Sequence, residues 1–424
     1  MRGLGLLGIS IPLLASIPVF AAEGKLDTGN TAWMLTASAL VVFMTVPGLA
    51  LFYGGLDKTK SILNTIAMSF SAFAVVTLTW VIIGYSIAYG DDIAGFIGNP
   101  FQYILAKGIS GLNDAGYPAL LDVMFQLTFA TITTALVSGS YVGRMKFSAW
   151  LIFAVLWSII VYPPIAHWVW GGGFLANDGA LDFAGGTVVH INAGIAGLVG
   201  ALILGRRKDT TLIPNNVPLV ALGAGILWFG WFGFNAGSAL AANETAVWAM
   251  LNTTVATSTA ALTWMIIEWL HAGKPTVVGI SSGIIAGLVA ITPAAGFVNI
   301  IGDIFIGAIA SILAYFAVAV LKPKFGYDDA LDVFGIHGVA GIVGAILTGV
   351  FADPNVGGSA GLLYGNPGQV IVQIKGVVAT IVYSGVLTAI ILLVVKAIVG
   401  LRVSEEEEVE GIDSSQHGEK AYNI

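Results

Sequence analysis

Two histidines in a repeated motif are the residues best suited to chemistry in this sequence. His190 and His337 each begin the pattern His-x-x-Ala-Gly-Ile-x-Gly, and an aspartate lies eight residues before each of them, at Asp182 and Asp329. We interpret this match as an internal duplication. A single histidine in an apolar segment often serves only as a hydrogen-bonding residue, but two at equivalent positions of a repeat favour a functional site.

The other candidate groups are weaker. The sequence has no cysteine, which excludes disulfides, thiolate nucleophiles and cysteine metal ligands. Glu268 and His271 have a spacing known from metal sites, but no second copy accompanies them, so we interpret them as a helix end and expect no metal and no cofactor. We interpret His167, beside Trp168, as an interfacial residue. An enzyme is disfavoured because Gly, Ala, Val and Ile surround the histidine pair and offer a substrate no further polar groups.

The composition indicates a membrane protein. Hydrophobic residues make up 57% of the chain and charged residues only 10%. One soluble core cannot bury so much apolar surface, so lipid must solvate much of it. The net charge of −7, much of it in the C-terminal segment, argues against binding to nucleic acid.

Apolar runs of roughly twenty residues fill most of the chain, and each is long enough to cross the hydrocarbon core of a bilayer. The runs are continuous and do not alternate, which predicts helices and not a barrel. The expected fold is therefore an all-α integral membrane protein with eleven transmembrane helices. They are predicted near Thr31–Tyr53, Leu63–Tyr89, Ala119–Tyr141, Ser148–Trp168, Gly186–Leu204, Val217–Ser238, Val247–Leu270, Val277–Gly296, Gly302–Leu321, Val333–Ala352 and Val370–Gly400.

The N-terminal residues 1–21 are predicted to be a signal peptide. Arg2 precedes a short apolar stretch, and Ala21 offers a small residue for cleavage. An uncleaved first helix is the alternative, which Pro12 and Pro18 disfavour because they interrupt the stretch.

The cations predict the orientation in a bacterial inner membrane. They occupy every second loop and the tail, which indicates an outer N-terminus and a cytoplasmic C-terminus. The two histidine motifs then run in opposite directions, so the chain is an inverted five-helix repeat, about residues 31–204 and 217–352, plus an extra helix at about 370–400. The small residues of the motifs allow close packing that would bring His190 and His337 together. The cations concerned are Lys58, Lys60, Arg144, Lys146, Arg206, Arg207, Lys208, Lys274, Lys322, Lys324, Arg402 and Lys420.

Several longer sequence runs resemble the ammonium transporter family (Amt/Mep/Rh), in particular its bacterial AmtB branch. The resemblance covers essentially the whole chain. It rests on Asp182–His190, Gly230–Ser238 and Asp332–Gly338, and it extends to Val46–Gly55 and His417–Asn423.

This resemblance implies a homotrimer in which each subunit, surrounded by membrane lipid, has its own pore for ammonium or methylammonium. It assigns Phe129, Trp170 and Ser238 to an outer cation-recruitment site that Asp182 supports from behind. Such a site is physically reasonable, because aromatic rings attract a small cation and a hydroxyl can accept a hydrogen bond from ammonium that potassium cannot donate. On the sequence alone, Trp170 could be an interface anchor. Asp182 could equally cap the helix that it precedes, and we expect it to do so in part.

The resemblance also implies that Phe129 and Phe234 gate the pore and that His190 and His337 line its lumen. Taken singly, either phenylalanine would more often be part of the core packing than a gate. Because cation–π contact holds potassium as well as ammonium, we expect selectivity to come from deprotonation before the constriction. An intact ion would then meet a barrier of at least roughly 2.5 to 3.5 kcal/mol in the apolar lumen, which neutral ammonia largely avoids.

The C-terminal residues 401–424 are predicted to be a cytoplasmic tail. By composition the run of glutamates from Glu405 would be solvated and mobile. By resemblance, the tail is regulatory and meets a trimeric PII-type signalling protein that plugs the pore.

Two other functions remain as alternatives. A passive Rh-like channel for neutral ammonia or carbon dioxide is the nearest, and an ammonium sensor is the second. A potassium channel is disfavoured because Gly84-Tyr85-Ser86 lies inside a predicted helix, where its carbonyls are already used.

Overall fold

The computed structural model describes residues 25–211 and 213–422, and the predicted signal peptide at residues 1–21 lies outside this part of the chain. Within the described ranges, nine helices are long and apolar enough to cross a membrane. They are α1 (Thr28–Leu56), α2 (Ile62–Tyr89), α3 (Ala119–Tyr141), α4 (Phe147–Asn177), α5 (Gly186–Leu204), α6 (Val217–Ala236), α9 (Ile300–Phe325), α10 (Phe334–Phe351) and α11 (Gly368–Val399).

Two further helices lie at the remaining predicted runs. Helix α7 (Glu244–Ala272) is long enough to span but is less apolar, with several threonines along its length. Helix α8 (Val277–Ile291) is apolar but short. It ends before the predicted boundary at Gly296 because Pro293 cannot continue a helix. Integral membrane architecture is thus confirmed, and the count of eleven crossings stays a prediction.

Short elements connect the long helices. Strands β1 (Asp92–Ile93) and β2 (Ile97–Gly98) form a small antiparallel hairpin after α2. Single helical turns follow at Ile104–Ala106, Pro354–Gly357 and Leu362–Tyr364. In the tail, the short helix α12 (Glu405–Glu410) precedes a π-helical turn at Asp413–His417.

Helices α5 and α10 cross in close backbone contact at the centre of the bundle. A Cβ atom added to Gly194 would lie 2.3 Å from the backbone nitrogen of Gly338, and one added to Gly341 would lie 3.2 Å from the carbonyl oxygen of Gly186. Both helices begin with a π-helical turn, Gly186–Ile191 and Phe334–Val339. Such turns are rare and occur often at functional sites, and here they contain the two motif histidines.

A buried ion pair connects two loops, and these loops lie at the end of the bundle where most of the cations are found. The Arg207 guanidinium donates two hydrogen bonds to the Asp328 carboxylate, at 2.8 and 2.9 Å, and both side chains are almost fully buried. Burial alone would raise the pKa of Asp328, but its hydrogen bonds and ion pairs with Arg207 and Arg144 lower it. These contacts fix the α5–α6 loop against the α9–α10 loop.

The tail is not a mobile acidic segment in this structure, so the expectation from its composition was wrong. Arg402 donates to the carbonyls of Leu204 and Arg206 and to the Glu408 carboxylate. Asp413 accepts from the first backbone N–H groups of α2 at Leu63 and Asn64. The tail thus provides an acceptor for the open N–H groups at the start of α2 and a donor for the open carbonyl group at the end of α5. These contacts hold it against the ends of both helices.

His167 is not an interfacial residue, and that interpretation was also wrong. Its ring is fully buried between α2 and α4, with Nδ1 2.8 Å from the Ala88 carbonyl and Nε2 2.8 Å from the Asp92 carboxylate. The hydrogen bond from His167 lowers the pKa of Asp92. The adjacent Trp168 suggested an interface because tryptophan is common there, but it packs on Phe96 and Phe174.

The crossing of α5 and α10 can be tested with Gly194→Ala. The new methyl group must push the helices apart, and we expect a loss of about 1–3 kcal/mol in stability, measured as a lower Tm of the protein in detergent. Gly225→Ala is the matched control, because a Cβ atom there has no neighbour within 4 Å. An unchanged Tm for Gly194→Ala would contradict the close contact.

Candidate functional site

A cavity of about 350 Å³ opens at one end of the bundle, between α2, α3, α4 and the end of α6. We call it the Trp170 cavity. It is lined by Tyr89, Asp122, Phe125, Gln126, Phe129, Val169, Trp170, Phe183, Ser238 and Leu240. Phe129, Trp170 and Ser238, which the resemblance assigned to one site, thus share this cavity.

Phe129, on the wall of the Trp170 cavity, stacks on Phe234 behind it. The rings of Phe129 and Phe234 lie 4.2 Å apart at an interplanar angle of 20°, and both side chains are buried. Trp170 meets Phe129 edge to face, with the ring centroids 5.8 Å apart. Its indole nitrogen donates to the Asp182 carbonyl at 2.9 Å, which fixes the orientation of the ring.

The two motif histidines lie directly below this stack. The His190 ring is 6.0 Å from Phe234 and 5.4 Å from His337, and the two Nδ1 atoms are 3.2 Å apart. One Nδ1 must therefore donate a proton while the other accepts. Within the described ranges, the buried Nε2 of His190 has no hydrogen-bond partner, so it is available to a solute.

Trp231 supports the histidine pair, a role that the sequence analysis did not assign. Its ring stacks on His190 at 5.3 Å, and its indole nitrogen donates to the Thr292 hydroxyl at 2.9 Å. The signal was present, because Trp231 lies three residues before Phe234 on the same helix.

Asp182 caps the start of α5 and thereby holds His190 in place. Its two carboxylate oxygens accept from four successive backbone N–H groups, those of residues 185–188, at 2.6 to 3.1 Å. Burial raises the pKa of Asp182 to about 6, while the same four hydrogen bonds act to lower it. The carboxylate form thus predominates at neutral pH and completes the helix terminus.

Asp329 has the equivalent position before α10. Its carboxylate accepts from the backbone nitrogen of Phe334 and from the Ser140 hydroxyl, both at 2.7 Å. The paired aspartates of the repeat are thus helix caps for the paired histidines. Beyond His337, a second cavity of about 450 Å³ opens at the opposite end of the bundle, and its lining includes Asp332 and Ile336.

The Glu268 and His271 spacing belongs to a helix end, as expected. Glu268 accepts from the backbone nitrogen and the hydroxyl of Thr276, and His271 bonds the Tyr315 hydroxyl at 2.8 Å. In the part of the chain that the structure describes, no group of three or more histidine, aspartate or glutamate side chains could hold a metal ion.

Asp122 was not among the predicted site residues. It is a carboxylate on the wall of the Trp170 cavity, in the first turn of α3. The spacing of Asp122, Gln126 and Phe129 places all three on one face of that helix. An acidic residue on the face that carries a predicted site residue was the signal that could have identified it.

Comparisons with known proteins agree on one family. The model of the Ammonium Transporter Family matches residues 32–422. The chain is 83% identical to an ammonium transporter of Aquifex aeolicus over the full length of both proteins. Its fold is similar to the crystal structure of Saccharomyces cerevisiae Mep2, with a TM-score of 0.84, 39% identity, and 90% of this chain and 89% of that chain covered. A structure titled Sensor Amt Protein also matches, with a TM-score of 0.84, 27% identity, and 92% and 98% covered.

The cap at Asp182 can be tested with Asp182→Ala. This change leaves four N–H groups without their acceptor, and we expect a loss of about 2–3 kcal/mol, measured as a lower Tm in detergent. Asp178→Ala is the control, because the ion pair of Asp178 with Lys375 is partly exposed and should contribute little. Equal losses for the two variants would contradict the capping role.

Proposed function

The chain belongs to the ammonium transporter family and functions in ammonium transport, and we propose that it does so by deprotonating ammonium and conducting ammonia. The observation that carries the proposal is the order of three features: a cavity with aromatic and hydroxyl groups, a closed pair of phenylalanine rings, and a buried histidine pair. A cation can be held in the first, but a hydrated ion cannot pass the second.

Ammonium is captured in the Trp170 cavity. The Ser238 hydroxyl donates to the Phe234 carbonyl at 2.8 Å, which leaves its oxygen lone pairs to accept a hydrogen bond from ammonium. The rings of Trp170 and Phe129 attract the cation, each contact contributing about 0.5 to 2 kcal/mol. This capture site also holds potassium, so the selective step must come later.

The selective step is the loss of a proton at the Phe129–Phe234 stack. Below the stack, the rings of Trp231 and Phe234 border the histidines, and an ion there loses its hydration without receiving a counter-charge. Ammonia carries no charge and loses only hydrogen bonds. Potassium has no proton to release and is therefore excluded.

The histidine pair then guides ammonia. The free Nε2 of His190 can exchange a hydrogen bond with ammonia, and the shared contact between the two Nδ1 atoms connects that nitrogen to His337. The same contact offers a route for the released proton, which would make transport electrogenic. The cavity near Asp332 receives the product.

The arrangement in the membrane follows from the charges. We propose eleven crossings in an inner membrane, with the Trp170 cavity outside and the loops of Arg144 and Arg207 in the cytoplasm. The matched caps and π-helical turns before His190 and His337 support an inverted repeat.

A homotrimer with a PII-type partner at its cytoplasmic face completes the proposal. The tail supports this proposal by its position, because Asp413 caps α2 and Arg402 binds the end of α5. A protein that displaced the tail would remove both contacts.

A sensor is the second candidate function, and the similarity to the structure titled Sensor Amt Protein favours it. The Rh-like channel for a neutral gas stays an alternative, because a lumen bordered by aromatic rings and a histidine pair would also admit neutral ammonia.

The mechanism can be tested in liposomes containing the purified protein. We expect ammonium or methylammonium to give a current in the wild type, potassium to give none, and the variant His190→Ala with His337→Ala to lose about tenfold or more of the current, because the proton route is gone. His271→Ala, which changes a histidine away from the pathway, is the control.

Three outcomes would contradict this mechanism. An equal potassium current in the wild type would exclude the deprotonation filter. A change of pH inside the liposomes without any current would favour neutral gas passage, and absence of both signals would favour a sensor.

The tail can be tested by truncation at Arg402. We expect the shortened protein to lose a PII-type partner in size-exclusion chromatography, because the segment from Val403 onward is the proposed contact. The control is the size of the free protein, which should remain that of a trimer. Retention of the partner would exclude the tail as its binding site.

A further inference from the structure

Asp122 places a carboxylate on the wall of the Trp170 cavity, on the same helix face as Phe129. It begins α3, and Tyr89 and Gln126 line the cavity beside it. In the described part of the chain, no lysine, arginine or histidine forms an ion pair with Asp122. The mechanism proposed above does not use this group.

Two tyrosines hold the carboxylate in place. The Tyr85 hydroxyl donates to one oxygen of Asp122 at 2.9 Å, and the Tyr117 hydroxyl is 3.5 Å from the other. An ionised carboxylate has about four acceptor positions, so these contacts leave it able to accept more hydrogen bonds. The tyrosines therefore orient Asp122 without neutralising its charge.

Tyr89 gives a second, independent indication of a ligand. Its hydroxyl is buried and has no hydrogen-bond partner within the described residues. The Tyr89 ring packs on Tyr85 with the centroids 5.2 Å apart, so it belongs to the same wall as the carboxylate. A buried hydroxyl without a partner is costly unless a ligand or water satisfies it.

We propose that Asp122 and Tyr89 form a second binding site in this cavity for monovalent cations of the ammonium type. The carboxylate supplies a full negative charge, whereas Trp170, Phe129 and Ser238 supply only rings and a hydroxyl. A fixed charge in a cleft with low-dielectric walls raises the local concentration of cations. The site increases capture and does not discriminate ammonium from potassium.

This inference rests on the proposed function, since it concerns how ammonium reaches the recruitment residues. It separates two tasks within one cavity. Asp122 collects cations, and Trp170, Phe129 and Ser238 present them to the Phe129–Phe234 stack. The charge stays above the stack, so it does not admit ions to the lumen.

The test measures ammonium transport against ammonium concentration in liposomes, for wild type, Asp122→Asn and Asp122→Glu. We expect Asp122→Asn to raise the apparent KM by about three- to tenfold and to leave the maximal rate within about twofold. The increase should shrink at high ionic strength because salt screens the charge. Asp122→Glu should keep a KM near that of wild type.

Asp114→Asn is the matched control, because it removes an exposed carboxylate from the loop before α3 and should leave KM unchanged. An Asp122→Asn variant with the wild-type KM would overturn the proposal. So would a fall in maximal rate at constant KM, which would indicate a structural role for Asp122.

A binding measurement keeps the inference separate from the transport mechanism. Crystals soaked in thallium(I) should show the ion against Asp122 and Tyr89 in wild type, and that peak should disappear in Asp122→Asn. Thallium only beside Trp170 and Ser238 would overturn the second site. If wild type carried no ammonium, the proposed function would fail, and the thallium result would still decide on Asp122.

Discussion

The close contact between α5 and α10 is the interaction on which the position of the histidine pair depends. With Gly194 against Gly338, neither helix has a side chain at the crossing, so the backbones meet and the side chains of the next turns converge. The two histidines therefore share a contact of 3.2 Å between their Nδ1 atoms. Lipid tails are as apolar as the side chains of the helices, so the hydrophobic effect does not drive helices together within a bilayer. Close packing of small residues therefore supplies much of the attraction between them.

That contact brings two helix N-termini into the interior, and each needs acceptors for its open N–H groups. Asp182 and Asp329 supply them from the residues before each helix. A buried carboxylate would ordinarily be costly, but one that accepts several N–H groups at a helix N-terminus is stabilised by them. The aspartate, the π-helical turn and the histidine consequently form one unit, which occurs at both α5 and α10.

Much of this could be predicted from the sequence. Long apolar runs determined the helix positions, since length and composition alone decide whether a segment can span a bilayer. The repeated motif predicted that His190 and His337 lie close together, because equivalent motifs occupy equivalent places in a repeat. Side chains that depend on contacts between distant elements could not be predicted: burial of His167 requires the hairpin that carries Asp92, and the fixed tail requires the open N-terminus of α2.

Asp122 could not be predicted as a site residue for a different reason. As one acidic residue at the start of an apolar helix, it resembles an ordinary first-turn carboxylate that interacts with the helix dipole. Only the fold brings Tyr85 and Tyr117 to it and opens the cavity on its other side. In the proposed mechanism, negative charge lies where ions are collected, and none lies where they are excluded. The Phe129–Phe234 stack marks the boundary between these two environments.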